Sequence, residues 1–423
     1  MEIAELYKIY LEHPVVTTDS RDCPEGSMFF ALKGESFNGN KFALSALEKG
    51  CAVAVVDEVV DGMDERFVLV DNVEQTLQAL AAYHRSQLTI PVLQITGTNG
   101  KTTTKELVSA VLSEGHNVLF TQGNLNNHLG VPRTLLRITA QHDMAVIETG
   151  ANHPGEIEFL CRMVKADCGL ITNVGRAHLE GFGSFEGVKA TKGELYDDLK
   201  ARGRFVFLNM LDENLFDMAS SRDMDSIPYV QGVVMECNPF VKLRWLAPDG
   251  QPHDVQTHLI GSYNLPNMLA AATVGLHFGI TPAQIDHALA NYVPSNNRSE
   301  FRDTGNNHLI VDAYNANPTS MAAALDNFAL VDAPHKMVIL GDMRELGAES
   351  EREHQNVVDK IAATGVETVW LVGDNFRKAQ HNYRTFSHVD EVKEAIQAEQ
   401  PHGQTILIKG SNGTKLFQLP ELL

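Results

Sequence analysis

The run Ile95-Thr96-Gly97-Thr98-Asn99-Gly100-Lys101-Thr102-Thr103 constrains the fold more than any other part of this chain. Before it, Pro91-Val-Leu-Gln-Ile95 is a short apolar stretch with β-branched members, which reads as a strand. After it, Leu107, Val108, Val111 and Leu112 recur at helical spacing. A strand that enters a helix through a glycine-rich turn belongs to a βαβ unit, and hence to a mostly parallel sheet. The turn also carries chemistry. Free backbone N–H groups and the positive dipole end at a helix N-terminus attract an anion, Lys101 can reach outer phosphates, and the Thr102 hydroxyl can ligate Mg²⁺. Gly97 and Gly100 let the backbone approach closely. The run is not a strict G-x-x-x-x-G-K-[ST], because Ile95 stands six residues before Lys101. A turn that merely joins two elements is the competing reading, and the flanking strand and helix weigh against it.

The same alternation recurs along the chain. Up to about residue 88 we expect a small α/β unit, with strands at Ala52-Val56 and Phe67-Val70 and helices near Phe42–Lys49 and Glu74–Gln87. Val118-Thr121, Met144-Thr149, Cys168-Asn173 and Phe205-Asn209 continue the parallel pattern. Val241–Leu259 breaks it with two polar strands around Pro248-Asp-Gly250, an antiparallel hairpin, followed by two helices to about Tyr292. Polar Pro294-Ser-Asn-Asn297 reads as a linker. Strands at His308-Ala313, Met337-Gly341, Thr368-Gly373 and Thr405-Lys409 then open another alternation, of dinucleotide-fold-like layout without G-x-G-x-x-G. The fold class is α/β in three domains, at 1–90, 91–296 and 297–423, the last Rossmann-like. A chain of 423 residues is too long for one ordinary core.

Composition excludes some functions. A formal net charge of −20 argues against general nucleic-acid or anionic-membrane binding, so any anionic substrate must be held by local cations and helix N-termini. The five scattered cysteines form no C-x-x-C pair and fit reduced thiols. No segment reaches the roughly 18 apolar residues of a membrane helix, and the expectation is a cytoplasmic protein.

Parallel sheets place working residues at the carboxyl ends of their strands. Met144-Ala-Val-Ile147 delivers Glu148, and Cys168–Val174 runs into Gly175-Arg-Ala-His178. With Thr102, these side chains could converge on Mg²⁺ beside a γ-phosphate, although Mg²⁺ prefers oxygen to imidazole. Each also has an ordinary reading: Glu148 as a solvated loop acid, His178 as a hydrogen-bonded loop histidine, and Lys189 and Lys192 as a solvated helix face. Asn264 and Asn267, three apart, open an alanine-rich helix and could read a purine edge, or Asn264 could be an N-cap. In Asp312-Ala-Tyr314-Asn315-Ala-Asn317-Pro318, capping explains Asn317 and Pro318 but neither Asp312 nor Asn315.

Together, Gly97-Thr-Asn-Gly-Lys-Thr-Thr, Glu148-Thr-Gly, Asn173-Val-Gly-Arg-Ala-His178, Lys192-Gly-Glu, Gly261-x-x-Asn264-x-x-Asn267 and Asp312-x-Tyr-Asn-Ala-Asn-Pro resemble the Mur ligases of peptidoglycan synthesis. Tyr314-Asn-Ala-Asn-Pro, Leu340-Gly-Asp-Met-Arg-Glu-Leu-Gly347, Ala177–Gly183 and Lys409-Gly-Ser are similar to the members that add D-alanyl-D-alanine. The resemblance implies an N-terminal domain for a UDP-sugar, a central ATPase and a C-terminal domain that closes over the site and presents the amine. It implies an ATP-dependent amide ligation in which a carboxylate of UDP-MurNAc-tripeptide becomes an acyl phosphate that D-Ala-D-Ala displaces. It further implies that Lys101 and Thr102 hold phosphate and metal, and that Glu148 and His178 are ligands of Mg²⁺, two ions in all. Lys192 matches a lysine that the family carbamylates with CO₂. Asn264 and Asn267 match the adenine contacts, Arg298, Asp312 and Asn315 the nucleotide contacts of the third domain. Ser20, Arg21 and Lys33 resemble the uridine-nucleotide site, and Asn126 and Asn127 the sugar side; a monomer is expected. Relatives of the folylpolyglutamate synthetase type share the acyl-phosphate logic but lack Tyr-Asn-Ala-Asn-Pro, and a nucleotide-binding scaffold without chemistry would not need the intact Lys101, Glu148, His178 and Lys192. The chain departs from the family at Asn38-Gly-Asn40 for Asp-Gly-His, at Asn297-Arg298 for Gly-Arg, and in lacking an Arg and a Met after Ser411.

Overall fold

The computed structural model describes residues 1–295 and 297–423. Asn296, on which the expected linker and domain boundary fall, lies outside the described residues. Three parallel-rich sheets follow one another along the chain.

The first sheet sets Val16–Thr17, Met28–Phe30, Val53–Val56 and Phe67–Leu69 side by side, all parallel. Met28, Phe29 and Phe30 are all buried, as strands covered on both faces must be. Met28 and Phe30 pack against helices Ile3–Glu12 and Val73–Ser86, and Phe29 against Ala43–Glu48. The helix Ile3–Glu12 was not expected, since Glu2 offers no side-chain cap. It forms because Leu6 and Tyr10, one turn apart, bury on the sheet, and the Tyr10 hydroxyl donates to the Leu136 carbonyl at 2.6 Å.

The second sheet runs Ser226–Pro228, Phe205–Leu208, Cys168–Ile171, Val92–Thr96, Met144–Glu148, Val118–Phe120, parallel throughout. From Val92–Thr96 the chain goes to the edge strand Val118–Phe120, returns inward to Met144–Glu148, and then crosses to the other side at Cys168–Ile171. The order therefore reverses at the end of the strand that carries the glycine turn, the position where open α/β sheets leave a crevice for ligands. The region of the expected hairpin is a three-stranded antiparallel sheet: Phe240–Leu246 and Pro252–Ile260 are joined by Gly232–Cys237. Val241, Leu243 and Trp245 alternate inward from it onto the helix Leu265–His277, so its strands are half-buried rather than polar.

The third sheet runs Glu300–Asp303, His308–Asp312, Thr405–Lys409, Lys336–Gly341, Thr368–Val372, Arg384–Phe386. Only the first pair is antiparallel. Glu300–Asp303 and Arg384–Phe386 are edge strands without an apolar run, which is why they were not read from the sequence.

Candidate active site

The carboxyl ends of the second and third sheets face each other across a cavity of about 1400 Å³. The glycine turn forms its floor. Gly97 has φ +144° and packs under the neighbouring strand end: a Cβ there would lie 2.0 Å from Thr172 Oγ1. It supports the loop and does not itself line the cavity, although it was expected among the nucleotide contacts. The N–H groups of Thr98 and Asn99 donate to Asn173, to its carbonyl and side chain at 3.0 Å each. The open amides are therefore those that begin the helix Lys101–Leu112, at Lys101, Thr102 and Thr103.

Glu148 ends the adjacent strand and is fully buried, which overturns the solvated reading. Its Oε1 accepts from Thr102 Oγ1 at 3.2 Å and from Asn126 Nδ2 at 2.7 Å, while its buried Oε2 has no partner. A buried carboxylate oxygen left unpaired is costly unless a cation reaches it. Lys101 Nζ donates to the Thr98 carbonyl at 3.0 Å; burial lowers its pKa and the Glu148 charge opposes that shift.

His178 lies in the loop after Cys168–Ile171 and lines the cavity with φ +51°. Burial lowers its pKa, and the contact with Glu345 opposes the fall. Its Nδ1 bonds the Glu345 carboxylate of the third unit, and no hydrogen bond joins it to Thr102 or Glu148. Among the described residues no group of three His, Cys, Asp or Glu side chains could hold a metal. The oxygen pair is what Thr102, opening the helix after the turn, and Glu148, ending the adjacent strand, provide.

Lys192 is 2% exposed, which removes the solvated-face reading that its neighbours suggested. Its ammonium lies 5.4 Å from the centre of the Phe182 ring, which in turn meets the His178 ring edge-on. Burial first, and the Lys101 charge second, bring its pKa down to about 7. It sits beside the cavity rather than on its wall.

The amides of Asn264 and Asn267 are buried and linked to each other at 2.9 Å, to Ile260 and to Thr104. Asn264 makes no side-chain cap, so the capping alternative falls and its amide lines the cavity. From the third unit, Arg298 lies 3.7 Å over the Tyr314 ring, and Lys409 pairs with Asp312 and donates to the Asn315 carbonyl at 3.2 Å. All of these border the cavity. Asn317 caps Pro318–Leu330 with Ser320 in a capping box, and its Nδ2 reaches Asn99 Oδ1 at 2.7 Å. Asn297 takes φ +57°, a conformation asparagine tolerates better than most residues.

The nucleotide-sugar residues divide. Asn126 and Asn127 line the cavity; Ser20, Arg21 and Lys33 do not. Arg21 is exposed and held by Asp19, and Lys33 is held by Asp57 at 2.9 Å and Glu58 at 2.8 Å. Asn40 is buried in the same network, donating to Asp57 Oδ1 at 2.8 Å. The sequence reading missed Glu74, Gln75 and Gln78, which reach the cavity from the first turns of Val73–Ser86. Their one signal was a position at a helix start.

Three family models cover this arrangement: "Mur ligase family, catalytic domain" at 14–85, "Mur ligase middle domain" at 95–275 and "Mur ligase, glutamate ligase domain" at 297–412. The chain belongs to the Mur ligase family. Within it, the chain is 35% identical to the UDP-N-acetylmuramoyl-tripeptide--D-alanyl-D-alanine ligase of Escherichia coli (strain K12), across 96% of this chain and 93% of that one. The ligase of the same name from Bacillus subtilis (strain 168) is 33% identical across 99% and 96%. A crystal structure of MurF from Acinetobacter baumannii superposes with a TM-score of 0.87 at 30% identity, covering 99% and 97%.

Proposed function

We propose that the protein joins D-alanyl-D-alanine to the terminal carboxylate of UDP-MurNAc-tripeptide, converting ATP to ADP and phosphate. The observation that carries this reading is the pairing of Lys101, Thr102 and the half-satisfied Glu148 at the sheet's switch point with Arg298, Asp312 and Lys409 facing them. A carboxylate oxygen of the peptide attacks the γ-phosphorus and the bond to ADP breaks. The dipeptide's neutral amine then attacks the acyl carbon, the C–O bond breaks, phosphate leaves with that oxygen, and the nitrogen releases one proton as the amide forms.

The helix amides at Lys101–Thr103 hold the phosphates, and Lys101 offsets charge on the transferring group. Asn264 and Asn267 face the base, and Arg298, Asp312 and Asn315 complete the nucleotide pocket. The residues present fit Mg²⁺, with Thr102, Glu148 and His178 to hold it, because Glu148 Oε2 is a buried acceptor lacking a donor. The chemistry it would supply is neutralisation of phosphate charge. Lys192, its amine partly neutral near pH 7, suits addition of CO₂ to give a carbamate, which would provide a further oxygen ligand for a second ion. Asn126 and Asn127 serve the sugar side, and Ser20, Arg21 and Lys33 the uridine diphosphate, each cation first leaving its own acid. Closure of the third unit keeps water from the acyl phosphate. The domains follow the 1–90, 91–296 and 297–423 division, and the enzyme works in the cytoplasm as a monomer.

Peptide carrying ¹⁸O in its terminal carboxylate tests the chemistry. Inorganic phosphate with one ¹⁸O is the expected product by mass spectrometry; unlabelled phosphate released alongside the amide contradicts an acyl phosphate.

A further inference from the structure

The motif Leu340-Gly-Asp-Met-Arg-Glu-Leu-Gly347 has no part in the chemistry above, yet its loop is heavily anchored in the third unit. The Asp342 carboxylate accepts from the N–H groups of Asn375 and Phe376, both at 3.0 Å, and its carbonyl accepts from Ser411 Oγ at 2.6 Å. The Met343 N–H donates to the fully buried His354 at 3.0 Å. From this rigid base Glu345 projects towards the central unit with φ +61°, and its carboxylate meets Nδ1 of His178, itself at φ +51°. Two non-glycine residues in left-handed backbone, on different units and in contact, are the kind of strained pair that functional sites retain. The Glu180 N–H donates to the Glu345 carbonyl at 3.2 Å, so the two loops also join through their backbones.

A carboxylate only accepts hydrogen bonds, so His178 facing Glu345 carries its proton on Nδ1 and leaves Nε2 with a lone pair. This is the arrangement by which an outer carboxylate fixes the tautomer and orientation of a ligating imidazole. We propose that Glu345 is a positioning residue that sets the His178 ring from the third unit, so that the phosphate site is complete only when that unit is seated. The proposal rests on the metal-site reading given above.

Two measurements test it. In protein labelled with ¹⁵N-histidine, the His178 signals, identified by their loss in His178→Asn, should show the Nδ1–H tautomer without any metal. Glu345→Ala should shift them towards a mixture. Mn²⁺ binding in the presence of ADP, read by electron paramagnetic resonance, should weaken about 10- to 100-fold in Glu345→Ala. Glu345→Gln, whose amide oxygen still accepts the proton, should restore most of it. Arg176→Ala, which removes a separate contact between the same units, should leave it within about twofold. Unchanged ring signals or unchanged Mn²⁺ affinity in Glu345→Ala, or equal loss in Glu345→Gln, overturns the proposal. Failure of the wild-type protein to bind Mn²⁺ with ADP counts instead against the metal-site reading, and the ring signals then decide the positioning role alone.

Discussion

The two ends of the molecule handle charge in opposite ways. Around the glycine turn, Lys101, Glu148 and Lys192 are drawn into the protein and left short of partners: Glu148 Oε2 has none, and among the described residues Lys192 forms no ion pair, the charges of Glu194 and Glu156 only partly offsetting its burial. In the first unit, Arg21 and Lys33 stand largely in water, each clasped by its own carboxylates. Buried, under-satisfied charge is preorganised and costly; exposed, paired charge is neither. The difference teaches that buried, under-paired charge gathers around the glycine turn, whereas these two cations of the first sheet's unit stand exposed and paired.

If so, substitutions should rank accordingly. Lys101→Ala should lower kcat about 10²- to 10³-fold in a coupled phosphate assay while the protein stays folded by circular dichroism. Lys192→Ala should lower it by about 100-fold, with partial rescue by short-chain carboxylic acids that fill the vacated space. No loss, or no rescue, would break the contrast on its buried side.

Stability gives a third, smaller test. The folded-state pKa of Lys192 lies near 7, below its unfolded value, so the unfolded chain binds the proton more tightly between pH 7 and about 10.5. The penalty of charging this lysine is therefore fully present below about pH 7 and is relieved as pH rises towards 10.5. Without CO₂, Lys192→Met should raise the melting temperature near neutrality, and the gain should shrink as pH approaches 10. Smallest of all, Arg21→Ala should raise KM for the UDP-sugar peptide by less than about fivefold and leave kcat unchanged. A fall in kcat like that of Lys101→Ala would erase the distinction between the two ends.

What could be read from the sequence follows from how local the signal is. The strand, turn and helix at Ile95–Thr103 announce themselves within nine residues, and the parallel alternation repeats the same short periodicities. Glu148 was legible as a residue at a strand end, but not the missing partner of its Oε2, which depends on Thr102 and Asn126 arriving from two other places and both engaging Oε1. The Glu345 contact with His178 spans 167 residues and leaves no pattern in either segment. Strand Gly232–Cys237 offers only the three-residue apolar run Val233–Met235, two of its members exposed, and the helix Ile3–Glu12 is fixed by packing on the sheet rather than by a cap.

In the reaction proposed above, phosphate transfer is committed to amide formation. Phosphate release, measured with ATP, UDP-MurNAc-tripeptide and D-Ala-D-Ala together and with each left out in turn, tests it most directly. Release only when all three are present is the expected result; equal release without D-Ala-D-Ala, or none with all three, contradicts it.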